Sequence, residues 1–219
     1  MLRLSDTLRH SLLTEPETGM GYQRVEATLR DNKTERGIAF NAELLVLDDE
    51  TQVTRRMYPN TNPYTILLKR SAQSSGNEIK ALRVLPRAGM VFRAIEKKAA
   101  PAKDASKEKT KADEVFKRFS AFQNDHRVTS DGRLLAGSYA TTDEDAKNVK
   151  TGNDAVARYA LPNPDRASYT FIIKPHKDTD IQYGTVEPAN DQPGGGVEVI
   201  FTTGTQTNTV TGPEKIPDK

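Results

Sequence analysis

The chain has 219 residues, of which 35% are hydrophobic and 28% are charged, and its formal net charge at pH 7 is +2. This length suits one large domain or two small ones, and so polar a composition predicts modest cores with some disordered sequence. The absence of cysteine excludes disulfides, thiolate zinc sites and cysteine nucleophiles.

Charge and hydropathy further restrict the partners and the compartment. Residues 113–219 carry 12 basic and 16 acidic side chains, which argues against binding to a phosphate backbone as their main task. No apolar run is long enough to span a bilayer, and the N-terminus lacks the apolar stretch of a signal peptide. The sequence therefore predicts a cytoplasmic protein without a membrane partner.

Residues 1–95 predict a small β-rich domain. Leucines at helical spacing in residues 1–14 predict a short amphipathic helix. The first two predicted strands flank a turn at residues 31–33 and are expected to form a hairpin. Because no catalytic set of residues stands out here, a structural or interaction module is the favoured interpretation. Five strands are predicted in this domain, at residues 22–29, 37–47, 64–70, 79–85 and 90–95.

Residues 96–112, EKKAAPAKDASKEKTKA, differ in composition from both flanks. Such a segment cannot bury enough apolar surface to offset the entropy lost on ordering. It is predicted to be a flexible charged linker between the N-terminal domain and a second domain at residues 113–219.

Residues 113–219 predict a β-dominated domain with one or two helices, so the fold class expected for the whole chain is α+β. Residues 113–124 place apolar side chains at a spacing that predicts a helix of about three turns. Residues 169–174, YTFIIK, form the clearest strand pattern, and residues 183–186 predict another strand. The apolar positions of the predicted helix are Val115, Phe116, Phe119 and Phe122.

A glycine-rich turn leads directly into a strand near the C-terminal end of this domain. Three consecutive glycines, residues 194–196, precede an apolar alternation in which Glu198 is the charged member. Glycine permits close backbone approach, so such a turn can wrap a ligand and present the next side chain to it. The alternative is a β-hairpin with a mobile tip and a solvent-facing Glu198.

Several side chains of this domain suit one kind of ligand. Arginines pair with phosphates, tyrosines stack on planar rings, and a carboxylate beside a ribose stabilises a developing positive charge. A ligand with a diphosphate, a ribose and an aromatic ring, such as NAD, uses all three properties. The candidate side chains are Arg127, Arg133, Arg158, Tyr139, Tyr159, Gln192 and Glu198.

Four motifs give a resemblance to a known family: AGSYATT at 136–142, ARYALPNP at 157–164, YTFIIKP at 169–175 and GTVEPANDQPGGGVEVIF at 184–201. Residues 135–217 resemble the C-terminal ADP-ribosyltransferase domains of bacterial polymorphic toxins of the Rhs type, in particular those that modify EF-Tu. They are more distantly similar to the NAD-glycohydrolase fold of the tuberculosis necrotizing toxin, which has a QPGGG loop. The resemblance implies an ADP-ribosyltransferase-like split β-sandwich.

The resemblance also implies roles for individual residues. Glu198 corresponds to the catalytic glutamate and Gln192 to a glutamine that touches the nicotinamide ribose. Arg133 is preferred over Arg127 as the arginine of the first strand. The NAD-binding residues that it implies are Arg133, Tyr139, Thr141, Arg158, Gly194 and Gly195.

The function implied is a toxin that cleaves NAD and transfers ADP-ribose to a macromolecular acceptor. This mono-ADP-ribosyltransferase would use NAD as a substrate and modify EF-Tu or a nucleic acid, which would inhibit translation. A cognate immunity protein would bind it. It would act in the cytoplasm of the producer, or of a target cell after delivery. An NAD glycohydrolase and a non-catalytic binding or regulatory module remain alternatives. Gly196 stands where arginine-directed transferases carry an acidic or amide side chain, which leaves the acceptor open.

Overall fold

The computed structural model describes residues 2–30, 32–47, 79–85, 106–162 and 167–217. These ranges form two antiparallel sheets and three helices, so the protein is β-dominated, as the sequence predicts. Across these ranges, no helix combines the length and the apolar composition that crossing a membrane requires. The strands predicted at 64–70 and 90–95 lie outside the described residues.

The first sheet is antiparallel and has five strands. They are β1 (Leu2–Arg3), β2 (Tyr22–Leu29), β3 (Thr34–Phe40), β4 (Leu44–Leu47) and β5 (Ile79–Val84). Within the described ranges their order in the sheet is β1-β4-β3-β2-β5. The predicted hairpin is present as β2 and β3, with Val25 opposite Gly37. The strand predicted at 37–47 is in fact two strands, because Asn41 and Ala42 take positive φ angles of 50° and break it with a turn.

Helix α1 (Asp6–Leu13) covers one face of this sheet. The side chain of Ser5 caps its first turn by accepting from the backbone N–H of Leu8, which satisfies one of the free helical donors. Leu12 is 2% exposed and packs among the apolar side chains of the sheet. The predicted amphipathic helix is therefore confirmed.

The second sheet is also antiparallel. Its strands are β6 (Ser106–Lys109), β7 (Phe116–Ser120), β8 (Ser138–Thr142), β9 (Tyr169–Ile173), β10 (Asp180–Thr185), β11 (Val197–Phe201) and β12 (Val210–Lys215). Within the described ranges their order in the sheet is β12-β9-β7-β8-β11-β10-β6. The strand predicted at 169–174 is confirmed as β9, and the one predicted at 183–186 falls at the end of β10.

The helix predicted at 113–124 is wrong, because residues 116–120 form strand β7. The phenylalanines of this strand lie on opposite faces of the sheet. Phe119 stacks on Tyr159 with ring centroids 5.4 Å apart, and Phe116 meets Phe201 edge-on at 5.3 Å. A strand that is buried on both faces shows no strict polar alternation, so its spacing also matches a helix.

The predicted linker is wrong over residues 106–109, which form β6 and pair with β10. All four side chains are exposed, so their composition carries no sign of burial. The backbone ladder and an ion pair of 2.8 Å between Lys109 and Asp180 hold the strand at the edge of the sheet. A charged edge strand also discourages pairing with other chains.

Two short helices lie on the second sheet. Helix α2 (Asp143–Ala146) follows β8 directly, and the hydroxyl of Thr142 accepts from its third residue. Helix α3 (Gly152–Arg158) begins with a capping box between Thr151 and Asp154. In both caps an aspartate stands three residues after the threonine, at Asp145 and Asp154.

The guanidinium of Arg118 is fully buried and joins the two sheets. Its Nη1 and Nη2 donate to Glu17, each at 2.8 Å, and its Nε donates to Asp125 at 2.9 Å. Burial alone would lower the pKa of Arg118, but the charges of Asp125 and Glu17 raise it above its ordinary value. Because Glu17 lies between α1 and β2, this cluster ties the first sheet into the core of the second.

The neighbouring Arg127 binds the end of α1. Its guanidinium is buried and donates to the carbonyls of Leu12 at 3.2 Å, Leu13 at 3.4 Å and Glu15 at 2.5 Å. The last carbonyls of a helix have no partners within it, and a cation there also complements the helix dipole. Burial lowers the pKa of Arg127 below its ordinary value.

Candidate functional site

Glu198 is the second residue of β11, between β8 and β10 in the second sheet. It is 4% exposed, so the alternative of a solvent-facing side chain at a hairpin tip is wrong. Because successive side chains of a strand alternate between faces, Glu198 shares the face of Ile200. Val199 packs into the core on the opposite face.

The two neighbouring strands give Glu198 different surroundings. On β10, Gly184 lies directly opposite Glu198, so that no side chain flanks it from that strand. On β8, the ladder pairs Ala140 with Val199, and continuing this register by one residue places Thr141 beside Glu198. Thr141 is fully buried and is one of the predicted NAD-binding residues.

Asp145, in α2, is the centre of a polar cluster on this face. Its carboxylate accepts the Nε of Arg158 and the hydroxyl of Tyr159, each at 3.0 Å. It also accepts a second N–H of Arg158, the hydroxyl of Thr141 at 3.3 Å, and the backbone N–H of Val197. These contacts connect α2, α3, β8 and the start of β11.

The charge of this cluster is set by Asp145 and Arg158. Burial alone would raise the pKa of Asp145, but hydrogen bonds from Arg158 and Tyr159 hold it below its ordinary value of 3.8. The same hydrogen bond raises the pKa of Arg158, whereas burial raises that of Tyr159. At neutral pH the pair is therefore ionised, and the tyrosine is a neutral donor.

The three glycines pack against the end of α3. The N–H of Gly194 donates to the carbonyl of Ala157 at 3.0 Å, and the N–H of Gly196 donates to that of Arg158 at 3.1 Å. A Cβ on Gly196 would lie 2.7 Å from Cε1 of Tyr159. Gly195 is exposed, with a φ of +90° and no other group within 4 Å of a Cβ placed there. The loop thus satisfies the free carbonyls of a helix end, and of the two predicted glycines only Gly195 faces solvent.

Gln192 closes a tight turn ahead of these glycines. Its backbone exchanges hydrogen bonds of 2.8 and 3.1 Å with Ala189. Between them, Asn190 and Asp191 both have positive φ, as in the type I′ turn of a hairpin. The side chain of Asn190 accepts from Nη2 of Arg24 at 3.0 Å, which anchors the turn to β2 of the first sheet.

The structure brings together only some of the predicted residues. Glu198, Thr141 and Arg158 belong to one region around Asp145. Tyr139 shares that face but is 1% exposed and packs in the core, so its ring offers no open surface for stacking.

The two candidate arginines of the first strand lie elsewhere. Arg133 sits in an exposed turn, paired with Asp131 at 2.9 Å. The residues that follow this turn, 134–136, lie against Gly204, beyond the C-terminal end of β11, whereas Glu198 lies near its N-terminal end. The guanidinium of Arg127 donates to carbonyls at the end of α1. Neither reaches the Asp145 cluster.

Sequence reasoning missed Asp145 and Arg118. Asp145 stands three residues after Thr142, a spacing typical of a helix-capping box, so its type predicts nothing beyond a helix start. Arg118 lies in the segment that was predicted to be helical. Of its two carboxylate partners, Glu17 is 101 positions away and Asp125 lies in an irregular turn, so no local pattern identifies either of them.

No family model matches this sequence, and comparisons with curated proteins and with solved structures return no match. The interpretation of the site therefore depends on its geometry and on the motifs within residues 135–217.

Proposed function

We propose that the chain is an NAD-cleaving toxin of the ADP-ribosyltransferase kind and that its second sheet is the catalytic unit. The observation that carries the proposal is the position of Glu198, which is 4% exposed on a central strand and neighbours Thr141, whose hydroxyl donates to the ionised Asp145. The motifs around this residue resemble those of ADP-ribosyltransferase toxin domains. A cognate immunity protein and a macromolecular acceptor are the expected partners.

In this proposal Glu198 accepts a hydrogen bond from the 2′-hydroxyl of the nicotinamide ribose. As the bond between the anomeric carbon and nicotinamide breaks, nicotinamide leaves with the bonding electrons and positive charge develops on the ribose. A carboxylate beside that charge stabilises it. The acceptor nucleophile then attacks the anomeric carbon and loses its proton.

Arg158 takes a positioning role in this scheme. Its guanidinium is bound by Asp145, which in turn holds the hydroxyl of Thr141 and the backbone of Val197. These contacts fix the start of β11 and therefore the place of Glu198. Because Glu198 is 4% exposed, NAD reaches its carboxylate only after a local opening of the surrounding segments.

Gly196 favours hydrolysis as the second candidate reaction. Arginine-directed transferases orient the acceptor with an acidic or amide side chain two residues before the catalytic glutamate. Here a Cβ at that position would lie 2.7 Å from Tyr159 and 2.8 Å from Arg158. This space excludes such a side chain, so either water is the acceptor or another part of the chain orients it.

The test is incubation of the full chain with NAD labelled in its adenylate half, with and without a bacterial lysate. Transfer leaves label on a macromolecule, whereas hydrolysis leaves only free ADP-ribose. We expect Glu198→Gln to lower NAD consumption by about 100-fold or more. Glu187→Gln, the same change in the loop preceding β11, is the matched control and should retain wild-type turnover. Wild-type protein that consumes no NAD in either condition would refute the proposal.

A further inference from the structure

A cleft of about 390 Å³ lies on the second sheet between α2 and β12. Ligand pockets for small molecules commonly have volumes of about 300–1,000 Å³. Its apolar lining includes Phe119, Ala146, Val149 and Ile216. Its charged lining consists of Lys117, Lys147, Lys150, Lys215, Asp143 and Glu214. We refer to these ten residues, together with Thr170, as the lysine cleft.

Thr170 supplies an unsatisfied polar atom in this cleft. It lies opposite Phe119 on β7 and opposite Glu214 on β12, so the three residues form a row across the floor. Its hydroxyl oxygen is buried, and within the described part of the chain it has no hydrogen-bond partner. Buried polar groups in native proteins are almost always paired, so this hydroxyl has unused hydrogen-bonding capacity at the floor of the cleft.

The lysines of the cleft are unequally neutralised. Lys147 pairs with Glu144 at 2.5 Å, and Lys117 lies 3.8 Å from Asp143. Over the ranges that the structure describes, Lys150 and Lys215 make no ion pair. Four lysines against Asp143 and Glu214 leave the lining itself with an excess of positive charge next to an apolar floor, although the charge of Asp154 also acts on Lys150 from outside it.

From these observations we infer that the lysine cleft binds a nucleoside phosphate. The phosphate would lie between the ammonium groups of Lys150 and Lys215, which act as point-charge donors to phosphate oxygens. The base would cover the apolar floor, and a ligand hydroxyl or ring nitrogen would pair with Thr170. A ligand with an anionic end and a planar end satisfies the charge, the apolar lining and the buried hydroxyl together.

The lysine cleft is separate from the position of Glu198 but shares a wall with its surroundings. Phe119 lines the cleft and stacks on Tyr159, which contacts Gly196 and donates to Asp145. The inference does not depend on the proposed reaction, because it concerns binding alone. A Glu198→Gln variant should bind the same ligand with unchanged affinity.

The test is calorimetric titration of the full chain with AMP at low ionic strength. We expect saturable binding that weakens at least 10-fold in the double variant Lys150→Ala/Lys215→Ala. The matched control is Lys174→Ala/Lys177→Ala, which removes two exposed lysines outside the cleft and should bind as the wild type does. Equal binding by both double variants would overturn the inference, as would no binding of AMP by the wild type.

Two further ligands and one further variant examine the chemistry of the site. If the lysines hold the phosphate, adenosine should bind at least 10-fold more weakly than AMP. If the apolar floor holds the base, pyrophosphate should also bind at least 10-fold more weakly than AMP. Equal affinity of either compound and AMP would contradict the assignment. Thr170→Val should raise the midpoint of thermal unfolding, because it removes an unpaired buried hydroxyl, and should also weaken AMP binding. A variant that binds AMP like the wild type would show that the hydroxyl does not touch the ligand.

Discussion

Glu17 and Arg118 are 101 positions apart in the chain and meet in the interior through two hydrogen bonds of 2.8 Å. Their side chains are 3% and 0% exposed. Glu17 also accepts the backbone N–H groups of Tyr139 at 2.9 Å and Gly21 at 3.0 Å. One carboxylate thus connects the turn after α1 to two strands of the second sheet.

Breaking the contact between Glu17 and Arg118 should destabilise the protein. We expect Glu17→Gln to lower the free energy of unfolding by about 3–5 kcal/mol, because it leaves the buried charge of Arg118 with one carboxylate instead of two. Urea denaturation followed by circular dichroism measures this loss. Arg133→Ala, which breaks an exposed pair, should cost at most about 1 kcal/mol. Similar losses in the two variants would contradict the role assigned to Glu17.

Asp125 should make the stability of the protein depend on acidic pH. Burial alone would raise the pKa of Asp125, but the charge and hydrogen bonds of Arg118 bring it below its ordinary value of 3.8. A group with a depressed folded pKa contributes stability that is fully present above its unfolded pKa and is lost as the pH falls through its folded pKa.

The free energy of unfolding of the wild type should therefore fall below about pH 4. In Asp125→Asn the total stability should be lower at neutral pH, and its decline in acid should be shallower, because the titrating group is gone. Urea titrations between pH 2 and pH 6 compare the two slopes. Parallel curves would mean that Asp125 has the same pKa in the folded and unfolded states.

Gly196 and Tyr159 should be energetically coupled through steric contact. Gly196→Ala should lower the free energy of unfolding by about 1–3 kcal/mol, because the new methyl group overlaps the tyrosine ring. In a Tyr159→Ala background this cost should shrink. Gly195→Ala strains a positive φ without touching Tyr159, so its effect should add to that of Tyr159→Ala within about 0.5 kcal/mol. Additivity for Gly196 would show that the loop does not rest on the ring.

Asp145 and Arg158 should also be coupled. A double-mutant cycle with Asp145→Asn and Arg158→Gln should give an interaction energy of about 0.5–3 kcal/mol in unfolding experiments. The reason is the pair of hydrogen bonds that they share. A coupling near zero would instead indicate that Arg158 is free to bind NAD, as the resemblance to ADP-ribosyltransferase toxin domains implies.

The sequence was most informative where burial is one-sided or where the chain turns. The amphipathic α1 and the strands β2 and β9 were predicted, whereas β3 begins three residues earlier than predicted, at Thr34, and ends at Phe40. It was least informative for β7 and β6. Strand β7 is buried on both faces, so its apolar residues also match a helical spacing. Strand β6 is fully exposed, so its composition is the same as that of a linker.

In the candidate site, too, the sequence predicted local features but not the contacts between distant strands. Position in the chain was enough to place Glu198 at the start of a strand after a glycine turn. It could not show that Tyr139 would be buried or that Arg133 would lie near the other end of β11. Those outcomes depend on which strands become neighbours.

By itself, the sequence determined α1, β2, β9, the lack of cysteine chemistry and the strand that carries Glu198, because periodicity and turn residues act over a few positions. Tertiary structure alone decided that Asp145 holds Arg158, that Glu17 neutralises Arg118, and that an unpaired hydroxyl lies at Thr170. The physical reason is that ion pairs and burial depend on groups that lie far apart along the chain and meet only when the sheets assemble.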